Sequence, residues 1–174
     1  AKGKWLAFLD TDDFWTHNKL KEVYDEIEKK NFDVFCNSEW ILNEKIKKKL
    51  WIYGHYSKLN FYKKLLFFGN CLSTSATVIN KNFLERKKIF YNENKQFVTS
   101  EDYEFFLNIA NKGGKFHFYK KPLGYHLFHE KSASANRKNH FNSILEVQKF
   151  HVFQIQDFTL NKTCIWKKVK KISL

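Results

Sequence analysis

The sequence predicts an α/β fold, and two observations carry the prediction. Trp5 to Leu9 form an apolar run that predicts a buried strand, and three carboxylates follow it at Asp10, Asp12 and Asp13. Further along the chain, short apolar segments alternate with segments of helical periodicity. Acids at the C-terminal edge of a buried strand are how α/β proteins present a divalent cation to a ligand.

Local signals place the elements of the first half of the chain. Thr16 is a plausible N-cap for the first helix, and its apolar positions recur at helical spacing. The elements predicted are a strand over 4–9, this helix with a buried face of Leu20, Val23, Tyr24 and Ile27, a strand over 33–36, two strands or a flap over 40–53 around the basic run Lys45 to Lys49, and a helix over 59–68 that ends at Gly69.

The second half is predicted in the same way. Its clearest element is a helix over 101–112, which has Phe106, Ile109 and Ala110 on one face and stops at Gly113 and Gly114. The others are a strand over 75–79, a turn into a short helix over 80–87, a polar loop over 90–99, short strands over 116–119 and 125–128 on either side of a turn at Pro122 and Gly124, a polar loop over 129–136, and a last helix over 139–158.

Composition bounds the class of protein. The 174 residues suffice for one domain with a real core, which we place at 1–158, followed by a basic tail at 159–174. The net charge of +13 attracts polyanions such as nucleic acid, anionic lipid or phosphorylated substrates. Three widely spaced cysteines, Cys36, Cys71 and Cys164, argue against a disulfide framework or a zinc site and for a reducing compartment.

Two acidic segments could carry chemistry. Asp10 and Asp12 would point to the same side of an extended chain, where they could hold Mg²⁺ or Mn²⁺, although aspartates are also common turn residues. Glu101 and Asp102 open the predicted helix. There the helix dipole alone would stabilise them, but a fixed carboxylate facing a cleft could also serve as a general base. The residue types leave that second choice open.

Two polar segments complete the candidate site. His126, His129, Ser132 and Ser134 lie in a stretch that could contact metal or phosphate, or could be an ordinary surface loop. The segment that begins at Gly69-Asn70 contains small residues, which would let a sugar-sized ligand approach the backbone.

Taken in order, these segments resemble a family 2 glycosyltransferase of the GT-A fold, a Rossmann-related mixed sheet flanked by helices. The match is densest over residues 1–20, where Asp-Thr-Asp-Asp-Phe-Trp at 10–15 is followed by Lys19-Leu20. The Gly-Asn segment and the strand to Ile79, Glu101-Asp102 at a helix start, and the His126 to Ser134 pattern also match the family. The resemblance covers about residues 1–135.

The resemblance implies roles for these residues. Asp10, Asp12 and His129 would hold the metal, which is Mg²⁺ or Mn²⁺, and Asp102 would be the general base with Glu101 beside it. The implied substrate-binding residues are Asp13, Trp15, Gly69, Asn70, Ser132 and Ser134. The implied reaction moves a sugar from a nucleotide-sugar to an acceptor hydroxyl with inversion, in bacterial surface glycan synthesis.

The resemblance also implies context. The acceptor would be a glycan or a lipid-linked glycan, and the protein would be cytoplasmic. From the charge pattern we expect the Lys45 to Lys49 segment and the Lys167 to Lys171 tail to help dock it on anionic lipid at the inner face of the membrane. No nucleic acid partner is expected. The family's first βαβ units would lie before residue 1, so we expect an N-terminally truncated domain with weak or no activity alone.

Two alternatives remain from the residues themselves. The net charge and interleaved aromatics such as Trp40, Trp51 and Phe61 also suit a non-catalytic module that binds nucleic acid or anionic membrane. That module leaves Asp10 to Asp13 unexplained. A metal-dependent phosphohydrolase or nuclease also gathers acids at strand ends, but it needs more acids or histidines that bind the metal directly than the sequence places near Asp12.

Overall fold

The computed structural model describes residues 1–43, 49–54, 60–129, 132 and 136–154. Helices and strands are mixed along these residues, as predicted. In chain order they are β1 (Trp5–Ala7), β2 (Phe14–Trp15), α1 (Lys19–Lys29), β3 (Val34–Asn43), β4 (Lys49–Trp51), α2 (Phe61–Phe68), β5 (Thr77–Asn80), α3 (Lys81–Lys87), a 3₁₀ turn (Lys95–Phe97), α4 (Glu101–Asn111), β6 (Phe116–Phe128) and α5 (Arg137–Gln154).

The strands form one mixed sheet in the order β1-β5-β3-β6-β2, with β4 paired to β3 beside that path. β3 and β6 run parallel at the centre, and the other pairs are antiparallel. Successive side chains of β3 point to opposite faces of the sheet. Val34 and Cys36 join the larger core with α2, α4 and α5, whereas Phe35 joins a smaller core with Val23 of α1. The predicted α/β fold with helices flanking a mixed sheet is confirmed.

The last strand corrects a prediction. Residues 116–128 are one strand, β6, and not two strands separated by a turn. The register of the β6 pairing with β3 shifts at the place where the turn was expected, since Tyr119 pairs with Asn37 but Pro122 pairs with the next residue, Ser38. The proline and Gly124 therefore mark an irregular stretch inside a continuous strand, which is a common place for both residues.

The first helix, α1, also differs from its prediction. It begins at Lys19 after Asn18, and Thr16 is not its N-cap, because the Thr16 hydroxyl donates to the Leu123 carbonyl at 3.1 Å. Its predicted face is only partly right. Val23 is buried, but Leu20 and Tyr24 are 58% and 61% exposed. The buried position one turn before Val23 is occupied by Lys19.

Other elements differ mainly in their bounds. The strand predicted over 33–36 continues to Asn43 and pairs with β4, so two strands do form in the 40–53 region. Most of the basic run at 45–49, the end of the last helix near residue 158 and the basic tail lie outside the described residues. Among the described residues, no helix has the length and apolar character needed to span a bilayer.

Candidate functional site

The acidic segment after β1 forms a tight turn. The Asp13 amide donates to the Asp10 carbonyl at 3.1 Å, so the chain does not stay extended, and our condition for Asp10 and Asp12 sharing one side is not met. Within the turn, the aspartates differ in how exposed their side chains are. The Asp12 side chain is 40% exposed, whereas that of Asp13 is fully buried.

Asp13 attaches this turn to the end of β6. Its carboxylate accepts hydrogen bonds from the Leu127 amide at 2.9 Å and from His126 Nδ1 at 3.0 Å. Burial acts to raise the pKa of Asp13, but the hydrogen bonds and charge of its partners, His126 foremost, hold that pKa below its ordinary value. The same hydrogen bond raises the pKa of His126. Both oxygens of this predicted substrate-binding residue are thus occupied within the protein.

Asp12 and His129 face each other in the open part of the site. His129 Nε2 lies 3.1 Å from Asp12 Oδ2, and both side chains are partly exposed. Adjacent ligands of an octahedral Mg²⁺ lie about 3.0 Å apart, given metal–oxygen distances near 2.1 Å. An exposed carboxylate and an imidazole at this separation fit such an ion.

The third predicted metal ligand, Asp10, is the first residue of the turn. Burial raises the pKa of its carboxyl, and the neighbouring charges of Asp13 and Asp12 raise it further. A cation would relieve that repulsion. Within the described ranges, no three His, Cys, Asp or Glu side chains come close enough to form a cage by themselves. Mg²⁺ commonly completes its shell with water and substrate phosphates.

Ser75 supports the turn from the neighbouring segment. Its hydroxyl accepts a hydrogen bond from the Asp10 amide at 3.0 Å. Its carbonyl accepts from Trp15 Nε1 at 2.8 Å and from Lys19 Nζ at 2.5 Å. The indole N–H of Trp15, another predicted substrate-binding residue, is therefore used to hold the turn to the strand.

Sequence reasoning missed a buried charge pair beneath this turn. Lys19 and Glu39 are both 0% exposed. Burial lowers the pKa of Lys19 to about 8, and the carboxylate of Glu39 counteracts this change. Tyr53 donates its hydroxyl hydrogen to Glu39 at 2.8 Å. One signal was available, since Lys19 lies four residues before Val23, on the helix face that had to be buried.

Asp102 lies at the start of α4, as predicted. Burial raises the pKa of its carboxyl to about 6, and Glu101 and Asp10 add to that increase. Oδ1 accepts from the Tyr103 amide at 2.7 Å, and Oδ2 accepts from Asn70 Nδ2 at 3.2 Å. The charge of Asp10 contributes to this rise in pKa, so the acidic turn lies near the start of α4.

The Gly69-Asn70 segment reaches this space from the end of α2. Gly69 has φ of +88°, a conformation that favours glycine, and a Cβ added there would meet nothing within 4 Å. Asn70 turns the chain back by accepting the Leu72 amide at 3.0 Å on Oδ1, which leaves its Nδ2 to contact Asp102. Of the two predicted residues, Asn70 contacts the Asp102 carboxylate and Gly69 directly precedes Asn70 in the chain.

The two serines of the candidate site have different outcomes. Ser132 accepts a hydrogen bond from the His129 amide at 3.2 Å on its hydroxyl oxygen, which orients the histidine segment. Ser134 lies outside the described residues. The structure thus brings Asp12 to His129 and Asn70 to Asp102, and it places Asp10 near enough to Asp102 to act on it through charge.

Comparisons with known proteins agree on one family. A family model described as Glycosyl transferase family 2 matches residues 1–122. The chain is 31% identical over 140 residues to the UDP-Glc:alpha-D-GlcNAc-diphosphoundecaprenol beta-1,3-glucosyltransferase WfaP of Escherichia coli, covering 79% of this chain and 51% of the relative. The chain thus spans about half the length of that relative.

Solved structures show the fold. S. aureus TarS 1–349 in complex with UDP-GlcNAc aligns with a TM-score of 0.57 at 14% identity, covering 84% of this chain and 42% of TarS. The complex of TarS with UDP aligns with a TM-score of 0.56 at 16% identity, covering 90% and 43%. The architecture of mixed sheet and flanking helices is that of TarS.

Proposed function

The chain belongs to glycosyl transferase family 2, and from that premise we propose that its site transfers a sugar from a UDP-sugar to an acceptor hydroxyl, with a divalent cation and with inversion at the anomeric carbon. The observation that carries the proposal links two groups. Asp10 belongs to the turn that bears the exposed Asp12–His129 pair, and its charge adds to the rise that burial causes in the pKa of the partly buried Asp102 carboxyl.

Asp12 and His129, with Asp10 behind them, would hold Mg²⁺ or Mn²⁺. The chemistry that such a cation supplies is neutralisation of the charge that develops on a leaving diphosphate. The hydrogen bonds of Asp13, Trp15 and Ser75 fix the turn to its neighbouring segments. They keep the exposed Asp12 carboxylate in place before substrate arrives, which lowers the cost of organising the site.

Asp102 takes the proton of the acceptor hydroxyl. A carboxylate in water is a weak base at neutral pH, and a pKa near 6 makes Asp102 a stronger one that is still largely ionised. Asn70 orients it through Oδ2, and Glu101 lies beside it on the acceptor side. Attack by the deprotonated oxygen on the face opposite the diphosphate forms one bond as the other breaks, and a single displacement of this kind inverts the configuration.

The substrates are proposed from the relatives. TarS was solved with UDP and UDP-GlcNAc, and WfaP is named for UDP-Glc and a diphosphoundecaprenol-linked acceptor. We propose a UDP-sugar donor and a glycan acceptor, free or lipid-linked, in the synthesis of bacterial surface glycan. The reaction then takes place on the cytoplasmic side, at the inner face of the membrane. Enzyme family membership and the acidic turn both disfavour the alternative of a non-catalytic nucleic-acid or membrane-binding module.

The test is calorimetric titration with UDP, GDP, CMP and dTDP, with and without Mn²⁺, of this chain and of a version extended upstream by the βαβ units expected before residue 1. We expect UDP to bind the extended version in a Mn²⁺-dependent way, and Asp12→Asn to abolish that dependence. Asp25→Asn, which removes a carboxylate from α1, is the matched control and should bind like the parent. Absence of Mn²⁺-dependent binding for every nucleotide would remove the metal–diphosphate proposal.

A further inference from the structure

We propose that β4 and the residue after it form a membrane-docking edge that inserts into the surface of an anionic bilayer. The docking edge consists of Lys49, Leu50, Trp51 and Ile52. The inference deepens the proposed function, since it assigns to particular residues the contact that a lipid-linked acceptor would require.

The docking edge exposes an unusual amount of apolar surface. Leu50, Trp51 and Ile52 are consecutive and are 39%, 48% and 51% exposed. Within the part of the chain that the structure describes, β4 pairs with β3 alone, so it is an edge strand. Exposed edge strands are usually protected by charge, bulges or covering segments, and three large apolar residues do the opposite. Contiguous exposed apolar residues mark contact surfaces.

Charge identifies the partner. Lys49 precedes the apolar residues, and its Nζ lies 5.8 Å from the centre of the Trp51 ring. In the sequence immediately before it, Lys45, Lys47 and Lys48 stand against a single acid, Glu44, although these positions lie outside the described residues. Apolar residues that include a tryptophan, flanked by lysines, suit the headgroup region of an anionic membrane, where the indole is buried and the lysines meet phosphates.

The docking edge is coupled to the site through β3. Trp51 pairs with Glu39 across the two strands, and Glu39 accepts the hydroxyl hydrogen of Tyr53, which follows Ile52 by one residue. Glu39 and Lys19 form the buried pair beneath the acidic turn. Docking through β4 would therefore hold the acidic turn at a fixed position relative to the membrane surface. That geometry suits an acceptor anchored in lipid.

The test is vesicle flotation with the full chain, using neutral phosphatidylcholine vesicles and anionic vesicles that contain phosphatidylglycerol. We expect flotation with the anionic vesicles only. The triple variant Leu50→Ser, Trp51→Ser and Ile52→Ser should weaken it by about tenfold or more. The double variant Leu20→Ser and Tyr24→Ser is the matched control, since it removes comparably exposed apolar side chains from α1 and should float like the parent.

Three results would overturn the inference. They are flotation that does not depend on anionic lipid, equal weakening in the triple variant and its control, and concentration-dependent dimerisation that the triple variant abolishes while flotation persists. The last would assign the docking edge to a second copy of the chain. Mn²⁺-dependent UDP binding, measured on the same variants, separates this failure from failure of the proposed function, because the docking edge contributes no residue to the nucleotide site.

Discussion

The hydroxyl oxygen of Ser75 accepts a hydrogen bond from the backbone amide of Asp10 at 3.0 Å, across 65 residues of sequence. This contact fixes the first residue of the acidic turn to the segment before β5. The Ser75 side chain is fully buried, so its hydroxyl has no water to replace a lost partner. The position of the turn, and with it the exposed Asp12 carboxylate, depends on this bond.

Ser75→Ala should therefore reduce both stability and cation binding. The Asp10 amide would lose a buried acceptor, which costs about 1–3 kcal/mol in the free energy of unfolding. Chemical denaturation measures that loss, and Mn²⁺-dependent UDP binding measures the effect on the turn. Ser143→Ala is the control, because Ser143 is also buried but its Oγ has no partner in the described structure. Equal loss of UDP binding in the two variants would contradict the assignment.

The raised pKa of Asp102 predicts how sugar transfer depends on pH. The base works only when ionised, so kcat should rise with pH through about 6 and then level off. Asp102→Asn should reduce kcat by about 10²- to 10⁴-fold while UDP binding persists. Glu101→Gln, at the exposed neighbouring carboxylate, should keep the same ascending limb with a small shift. A rate that does not change between pH 5 and 8 would exclude Asp102 as the base.

The buried pair Lys19–Glu39 predicts coupled stability. Lys19→Met removes the positive charge that offsets the buried Glu39 carboxylate and should destabilise the fold, whereas the double variant with Glu39→Gln should cost less than the sum of the single changes, by about 0.5–3 kcal/mol. The folded state lowers the pKa of Lys19 from 10.5 to about 8, so the unfolded chain binds more protons between these values. The stability of the parent relative to Lys19→Met should therefore rise with pH across that window. A double-mutant cycle by urea denaturation tests both statements.

The sequence predicted features whose cause is local. Helix α4 begins at Glu101 as expected, because acids at a helix start and the Gly113-Gly114 stop act over one or two turns. The acidic segment follows a strand as expected, and it forms a turn, which was the alternative to the extended chain on which Asp10 and Asp12 would share one side. The family resemblance supplied the roles of Asp12, His129 and Asp102, which stay predictions until the variants above are measured.

What the sequence did not predict depends on distant partners. Lys19 can be buried because the Ser75 carbonyl accepts a hydrogen bond from its ammonium group and the negative charge of Glu39 offsets its positive charge. Ser75 is 56 residues away along the chain. Pro122 and Gly124 are local turn signals, yet pairing along the whole length of β3 keeps β6 in one strand. In both cases tertiary contacts override a preference that a few residues express.

Gly69 and Gly113 offer a comparison that separates strain from function. Both have positive φ, +88° and +82°, and at both a Cβ would meet nothing within 4 Å. Changing either to alanine should cost about 1–3 kcal/mol of stability through backbone strain. Gly69, unlike Gly113, directly precedes Asn70, whose Nδ2 contacts the Asp102 carboxylate. Only Gly69→Ala should therefore also raise KM for the acceptor in a sugar-transfer assay. Since the two variants share the same kind of strain, a comparable rise in KM for Gly113→Ala would show that the effect is structural and that Gly69 does not border the acceptor.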